Sequence, residues 1–301
     1  MRTLADAVAA GPVVLDGGLG TLLEARGHDL TSSLWSARLL MEDPDAIRRA
    51  HAEFFAAGAR VAISSSYQVS YEGLRPAGLG RAEVDAILAR TVALAREARI
   101  DSGLTSDEAW VAASVGPFGA ARADGSEYTG SYGMTVAQLR EWHRPRLHAL
   151  VAAEPDLLAI ETVPSLAEVE ALCAEIDGLG MPVSLSVTVA DGALRSGEEL
   201  ASAFALAASV SEVVAVGVNC CDVAEVRPAI GVAAGVTSLP FVAYPNSGEV
   251  WHADTRSWSG SGEAIPERAR EWVDAGARLV GGCCRVGPAE ISLLAREMAH
   301  P

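Results

Sequence analysis

Eight short apolar runs alternating with eight amphipathic stretches predict an α/β fold of the (β/α)8 TIM-barrel type, with its active site at the C-terminal rim of the strands. Two further observations support this. Runs such as V-A-V-G-V at 214–218 and A-R-L-V-G at 277–281 are apolar without strict alternation, as strands covered on both faces are. The two longest irregular stretches, 116–133 and 245–266, each follow an apolar run, which places both on the rim that carries the chemistry in such barrels. A doubly wound open sheet is the competing architecture. It fits less well because no Gly-x-Gly-x-x-Gly turn is present; the D-G-G-L-G-T run has its glycines at 17, 18 and 20.

The elements follow in order. A first strand over Val13–Asp16 precedes a helix over Asp43–Ala57, which opens on D-P-D, an N-cap aspartate followed by a first-turn proline. Val61–Ser66 is the second strand, and the helix Arg81–Ala98 starts after G-L-G. Trp110–Val115 leads through the first long loop to Val136–Ala152, and Leu157–Glu161 leads to Ser165–Ile176. Val183–Val189 and Val213–Asn219 are followed by helices over Glu198–Val210 and Val223–Ala234. Phe241–Tyr244 leads through the second long loop to Ile265–Ala275, and Leu279–Gly281 is followed by Pro288–Met298. Glycines just past several helices, as at Gly58 and Gly276, read as stops. No linker divides residues 1–301, so one barrel domain is expected.

Composition narrows the function. Half of the 301 residues are hydrophobic, enough for a large core. A net charge of -16 argues against nucleic acid, and no polybasic patch suits an anionic membrane. The N-terminal run lacks the apolar core of a signal peptide, and the longest apolar stretches fall short of the roughly 18 to 20 residues of a span. Five cysteines, sparse and odd in number, are not a disulfide framework. The cytoplasm, where thiols stay available for metal, is the expected compartment. Oligomeric state is not legible in the sequence.

Four of the five cysteines fall in two adjacent pairs, each after an apolar run: Cys220-Cys221 after V-A-V-G-V-N, and Cys283-Cys284 after A-R-L-V-G-G. In a closed barrel the tips of strands six and eight approach each other across the rim. Three thiolates there, Cys220, Cys283 and Cys284, can hold Zn2+ and leave its fourth position open. Gly281-Gly282 before the second pair suggests a sharp turn. The plainer reading is that free cysteines are small hydrophobes at strand ends, and it suits Cys173, in the apolar helical pattern V-E-A-L-C-A-E-I, and Cys221. A redox pair of neighbours is disfavoured, since adjacent cysteines make strained disulfides and no C-x-x-C is present. A three-sulfur zinc can bind an incoming thiol and hold it as a thiolate nucleophile. Zinc-bound water would call for histidines, which do not cluster near the cysteines, so a zinc hydrolase is a weaker alternative, as is a non-catalytic binding barrel.

Other strand ends supply acids and donors. Asp16 and Glu161 close strands one and four, each solvated at the rim or aimed at a ligand, and two such acids suit the ammonium group of an amino acid. Gly17 and Gly18 let backbone approach a ligand closely. Asn219 either bonds a substrate carboxylate or fixes the cysteine loop. Tyr67 and Gln68 are candidate pocket donors; Glu127, Tyr128, Asn246, Ser247 and Glu249 are candidate walls. Trp251 and Trp258 either line a sulfonium cation or pack within their loop, and His252 is a loop residue first.

The runs D-G-G-L-G-T at 16–21, S-Y-Q at 66–68, V-G-P-F-G-A at 115–120, D-G-S-E-Y at 124–128, E-T-V-P-S at 161–165, G-V-N-C at 217–220, P-N-S-G-E at 245–249 and G-G-C-C-R at 281–285 occur in this order along almost the whole chain. Together they resemble the zinc-dependent homocysteine S-methyltransferase family; the G-x-N-C plus G-G-C-C combination is the specific part. The resemblance implies a (β/α)8 barrel with zinc on Cys220, Cys283 and Cys284, and the thiolate of homocysteine as the added ligand. It implies homocysteine-binding roles for Asp16 and Glu161, and matches the family asparagine to Asn219. Ser66 stands where members commonly have threonine, which preserves the hydroxyl. Cys221 is not among the implied ligands. Family donors include S-methylmethionine, S-adenosylmethionine and betaine, and the Y-P-N-S-G-E and D-G-S-E-Y stretches look most like the S-methylmethionine branch.

Overall fold

The computed structural model describes residues 2–30, 35–252, 257–260 and 265–299. Eight parallel strands form one sheet: β1 (Val13–Val14), β2 (Val61–Ile63), β3 (Trp110–Val115), β4 (Leu157–Val163), β5 (Val183–Val187), β6 (Val213–Asn219), β7 (Phe241–Tyr244) and β8 (Ala277–Val280). Neighbours in sequence are neighbours in space, and β8 pairs with β1 through Val13↔Leu279 and Val14↔Val280. A parallel bridge between Leu15 and Val61, with Asp16 N donating to the Val61 carbonyl at 3.0 Å, joins β1 to β2 and closes the barrel.

Each strand is followed by an outer helix: α1 (Pro44–Ala57), α2 (Arg81–Asp101), α3 (Val136–Ala152), α4 (Leu166–Ile176), α5 (Leu200–Ala208), α6 (Val223–Val236), α7 (Ile265–Ala275) and α8 (Pro288–Ala299). Local chemistry sets their ends. Asp43 accepts the Ala46 N–H ahead of Pro44, and α1 stops where Gly58 turns left-handed at φ 112°. Thr135 and Gln138 cap α3 reciprocally. Among the described residues no helix is long and apolar enough to cross a membrane.

The core has two shells. The larger lies between sheet and helices and includes Phe54, Leu88, Leu147, Leu172, Phe204 and Trp272. The smaller fills the barrel with Leu15, Val61, Trp110, Leu157, Val242 and Leu279. Leu4, Ala7 and Val8 join this inner shell from a helix over Leu4–Ala10, which the sequence reading passed over. That helix, capped by Thr3 and Asp6, packs where the strands begin and closes the floor of the barrel.

Strand bounds differ from expectation mostly at the rim. β2 stops at Ile63 rather than Ser66, because Ser64 and Ser66 bond each other at 2.8 Å and Ser66 donates to the Ser114 carbonyl, turning the chain out of the sheet. β4 runs two residues past Glu161, to Val163. Two rim hairpins were also unforeseen, Val189–Ala190 with Ala193–Leu194 and Val250–His252 with Ser257–Ser259. The second contains Trp251, His252 and Trp258, whose side chains lie outside the described residues.

Candidate metal centre

The rim gathers the three cysteines predicted to act together. β6 ends at Asn219, and Cys220 follows in the left-handed region at φ 50°, a strained setting for a residue with a Cβ. Its conformation is held by the Tyr244 carbonyl, which accepts the Cys220 N–H at 3.2 Å, and by Thr188, whose hydroxyl donates to the Cys220 carbonyl at 3.2 Å. Past β8 the chain turns, with Cys283 N–H on the Pro245 carbonyl at 2.7 Å and Ser247 N–H on the Cys284 carbonyl at 3.1 Å. The left-handed residue of this turn is Arg285 at φ 66°, not Gly281 or Gly282. The two glycines instead make room: side chains there would meet the Asp16 carbonyl and Val286.

The Sγ atoms of Cys220, Cys283 and Cys284 all lie within 4.8 Å of one another, and those of Cys283 and Cys284 are 3.9 Å apart. Sulfurs on a tetrahedral zinc with bonds of about 2.3 Å stand about 3.8 Å apart, so the donor set and its spacing fit that ion. Cys220 and Cys283 bring their sulfurs into contact across two strand tips, with Cα atoms 5.6 Å apart. As thiolates all three sulfurs are available to one metal ion. Cys221 is fully buried outside the cluster, and Cys173 is buried in α4.

Acidic side chains surround the sulfurs. Burial pushes the Cys284 thiol up to about 11, and Glu161, Glu127 and Glu24 add to the shift. Such thiols ionise when a cation sits among them. Glu161 is raised to about 7 by burial, offset in part by the Ser114 hydroxyl, which bonds its Oε1. Asp16 is fully buried and raised to about 8 by desolvation, against the pull of the Ile63 N–H at 2.7 Å and the Tyr244 hydroxyl at 2.9 Å. Glu161 lies within β4 on the inward row of Leu157 and Ala159, and Asp16 follows β1 beside Tyr244 of the inner shell.

The remaining predicted residues occupy distinct places. Gly17 and Gly18 pack against the cysteine turn: Gly18 N–H bonds the Val286 carbonyl at 2.9 Å, and a Cβ on Gly18 would overlap the Cys283 carbonyl. The Asn219 amide is engaged by Thr162, accepting its N–H at 2.6 Å and donating to its hydroxyl at 2.8 Å, which holds Thr162 at φ 61°. Asn246 accepts the Cys284 N–H at 3.2 Å and so braces the cysteine turn, while Glu249 pairs with Arg285 at 2.9 Å. Tyr67 and Gln68 sit in the turn after β2, half-buried; Gln68 Oε1 is buried without a hydrogen-bond partner. Glu127 and Tyr128 form a short turn in the loop after β3, and the buried Glu127 Oε2 also lacks a partner. Burial raises the hydroxyls of Tyr67 and Tyr128, and the charge of Glu127 adds to both shifts.

Sequence reasoning missed Tyr244, Ser114, Thr162 and Arg195. Tyr244 bonds Asp16 and the Gly17 carbonyl, Ser114 bonds Glu161, and Arg195 lies over the Tyr128 ring. The available signal was position, since Tyr244 and Ser114 stand at the end of strands.

Residues 13–298 match the homocysteine S-methyltransferase family. The chain is 44% identical to homocysteine S-methyltransferase 4 of Zea mays, over 96% of this chain and 90% of that protein. It is 42% identical to the homocysteine S-methyltransferase of Escherichia coli strain K12, over 94% of each. The metallated form of the homocysteine methyltransferase MmuM from Escherichia coli superposes with a TM-score of 0.85 at 39% identity, covering 95% of this chain and 96% of that one. The oxidized form of the same protein gives the same TM-score at 41% identity.

Proposed function

Because this chain belongs to the homocysteine S-methyltransferase family and is such an enzyme, we propose that it moves a methyl group from S-methylmethionine to the thiolate of homocysteine, with zinc on Cys220, Cys283 and Cys284. The observation that carries the reading is the triad of sulfurs within 4.8 Å on a rim that also bears two buried acids. Zinc, when bound, supplies a Lewis acid that makes the homocysteine thiol a thiolate at neutral pH.

The residues of the chain bind and orient. Asp16 and Glu161 face the barrel axis and suit the ammonium end of homocysteine. Tyr244 and Ser114 hold these carboxyls in place. The donor is a sulfonium cation, and the rim beside the sulfurs offers it Glu127, with its unpartnered oxygen, and the rings of Tyr67 and Tyr128. In the transfer a bond forms between the acceptor sulfur and the methyl carbon while the carbon–sulfonium bond breaks. The electron pair of that bond stays on the departing sulfur, which leaves as a neutral thioether, so no acid is needed for the leaving group. The thiol proton goes to solvent, and one turnover with S-methylmethionine yields two methionines.

The test is methionine formation from homocysteine by reduced, zinc-loaded enzyme, with S-methylmethionine, S-adenosylmethionine and betaine in parallel and a metal-stripped control. Zinc-dependent turnover fastest with S-methylmethionine is expected. A clear preference for S-adenosylmethionine or betaine would overturn the donor assignment, and full activity after metal removal would overturn the role of zinc.

A further inference from the structure

Among the described residues Arg195 stands at the rim without an anionic partner, and we propose that its guanidinium takes the α-carboxylate of the methyl donor, making Arg195 a specificity-determining residue of the transfer. The inference rests on the methyl-transfer reading above but not on the choice of donor, since S-methylmethionine, S-adenosylmethionine and betaine all carry a carboxylate.

Four observations converge. Arg195 directly follows the rim hairpin Val189–Ala190 with Ala193–Leu194, and it is half-buried there. Its Nε lies 3.5 Å from the Thr188 hydroxyl, the same hydroxyl that holds the carbonyl of Cys220, so the guanidinium is two contacts from a sulfur ligand. Its Cζ lies 5.7 Å from the centroid of the Tyr128 ring. Among the described residues no carboxylate pairs with it and no acceptor meets its two terminal nitrogens, whereas Arg285 on the same rim is bound at both ends of its fork by Glu249, at 2.9 and 3.2 Å.

A half-buried arginine loses hydration, and its planar fork matches a carboxylate bidentately. The residue beside Tyr128 in sequence is Glu127, whose Oε2 is buried and has no partner. Tyr128 thus has an open cation over its ring and an open anion at its side, the complement of an amino-acid zwitterion. With its carboxylate on Arg195 and its ammonium on Glu127, the donor is anchored at its amino-acid end, leaving the sulfonium end to reach the sulfurs. Homocysteine takes the other amino-acid position, near Asp16 and Glu161, which have no arginine partner among the described residues.

The experiment compares zinc-loaded wild type, R195M and R195K with homocysteine and S-methylmethionine, and with trimethylsulfonium as a donor lacking the carboxylate. R195M is expected to raise the donor KM about 10- to 100-fold, the worth of a hydrogen-bonded charge pair. The homocysteine KM and the bound zinc should hold, and the preference for S-methylmethionine over trimethylsulfonium should fall by the same factor. R195K should recover part of the loss. An unchanged donor KM, or a rise confined to the homocysteine KM, overturns the assignment while leaving methyl transfer standing. If wild type methylates homocysteine from none of the carboxylate donors, the functional reading itself falls. Calorimetric titration of S-methylmethionine reads the residue without turnover: weaker binding by R195M supports the assignment, and equal or absent binding by both proteins overturns it.

Discussion

Cys220 and Cys221 are adjacent, yet only Cys220 joins the sulfur cluster. The left-handed backbone at Cys220 turns its side chain to the rim while Cys221 enters the core, where burial pushes its thiol up to about 12. Replacing Cys283 with alanine should therefore remove bound zinc and lower kcat/KM by about 100-fold or more, since even supporting residues of metal sites cost 10- to 100-fold. C221S should keep the metal; metal analysis beside kinetics on the two variants reads both outcomes. Tyr244 makes a second case. Its hydroxyl serves both Asp16 and the Gly17 carbonyl, so Y244F should lower stability by about 1 to 3 kcal/mol in a denaturant titration. Such residues also mark how far the sequence could be read. Rare cysteines and lone acids after apolar runs stand out in one dimension. Tyr244 is an ordinary strand residue until the fold brings it to Asp16 across 228 positions, and Arg195 carries no pattern at all.

At the scale of elements, the cysteine turn depends on its neighbours as much as on itself. The turn after β1 lies directly against it, with the Gly18 N–H on the Val286 carbonyl and no room for a Cβ beside the Cys283 carbonyl. G18A should weaken zinc binding by about 10-fold or more while circular dichroism stays unchanged, because the clash displaces a ligand turn rather than the core. A competition titration against a chelator measures it. All eight strands and eight outer helices were legible, because apolar runs and helical periodicity are strong local signals. The rim was less so. β2 ends early because the Ser64 and Ser66 hydroxyls bond each other and Ser66 also bonds the Ser114 carbonyl, and the Leu4–Ala10 helix is short and rich in alanine, with half of its evidence in what it covers.

Over the whole molecule, the buried acids tie stability to pH. Glu161 keeps its proton up to about 7 in the folded state, against an ordinary value of 4.5, and Asp16 up to about 8 against 3.8. Between each pair of values the native state binds more protons than the unfolded chain, so stability falls as pH rises through that window. No penalty exists below the unfolded values, and it is complete above the folded ones. Metal-free, reduced enzyme should thus melt lower at pH 8 than at pH 5. E161Q should remove part of the slope, gaining about 1 to 3 kcal/mol over wild type at pH 8 and little at pH 5. Melting curves across that range check both. The sealed floor has a different consequence. Among the described residues Leu4, Ala7 and Val8 fill the bottom of the barrel, so the cysteine rim is the side left for reactants to enter. If acceptor and donor both pass that rim, depth sets their order, and the molecule seated deeper is expected to arrive first and depart last.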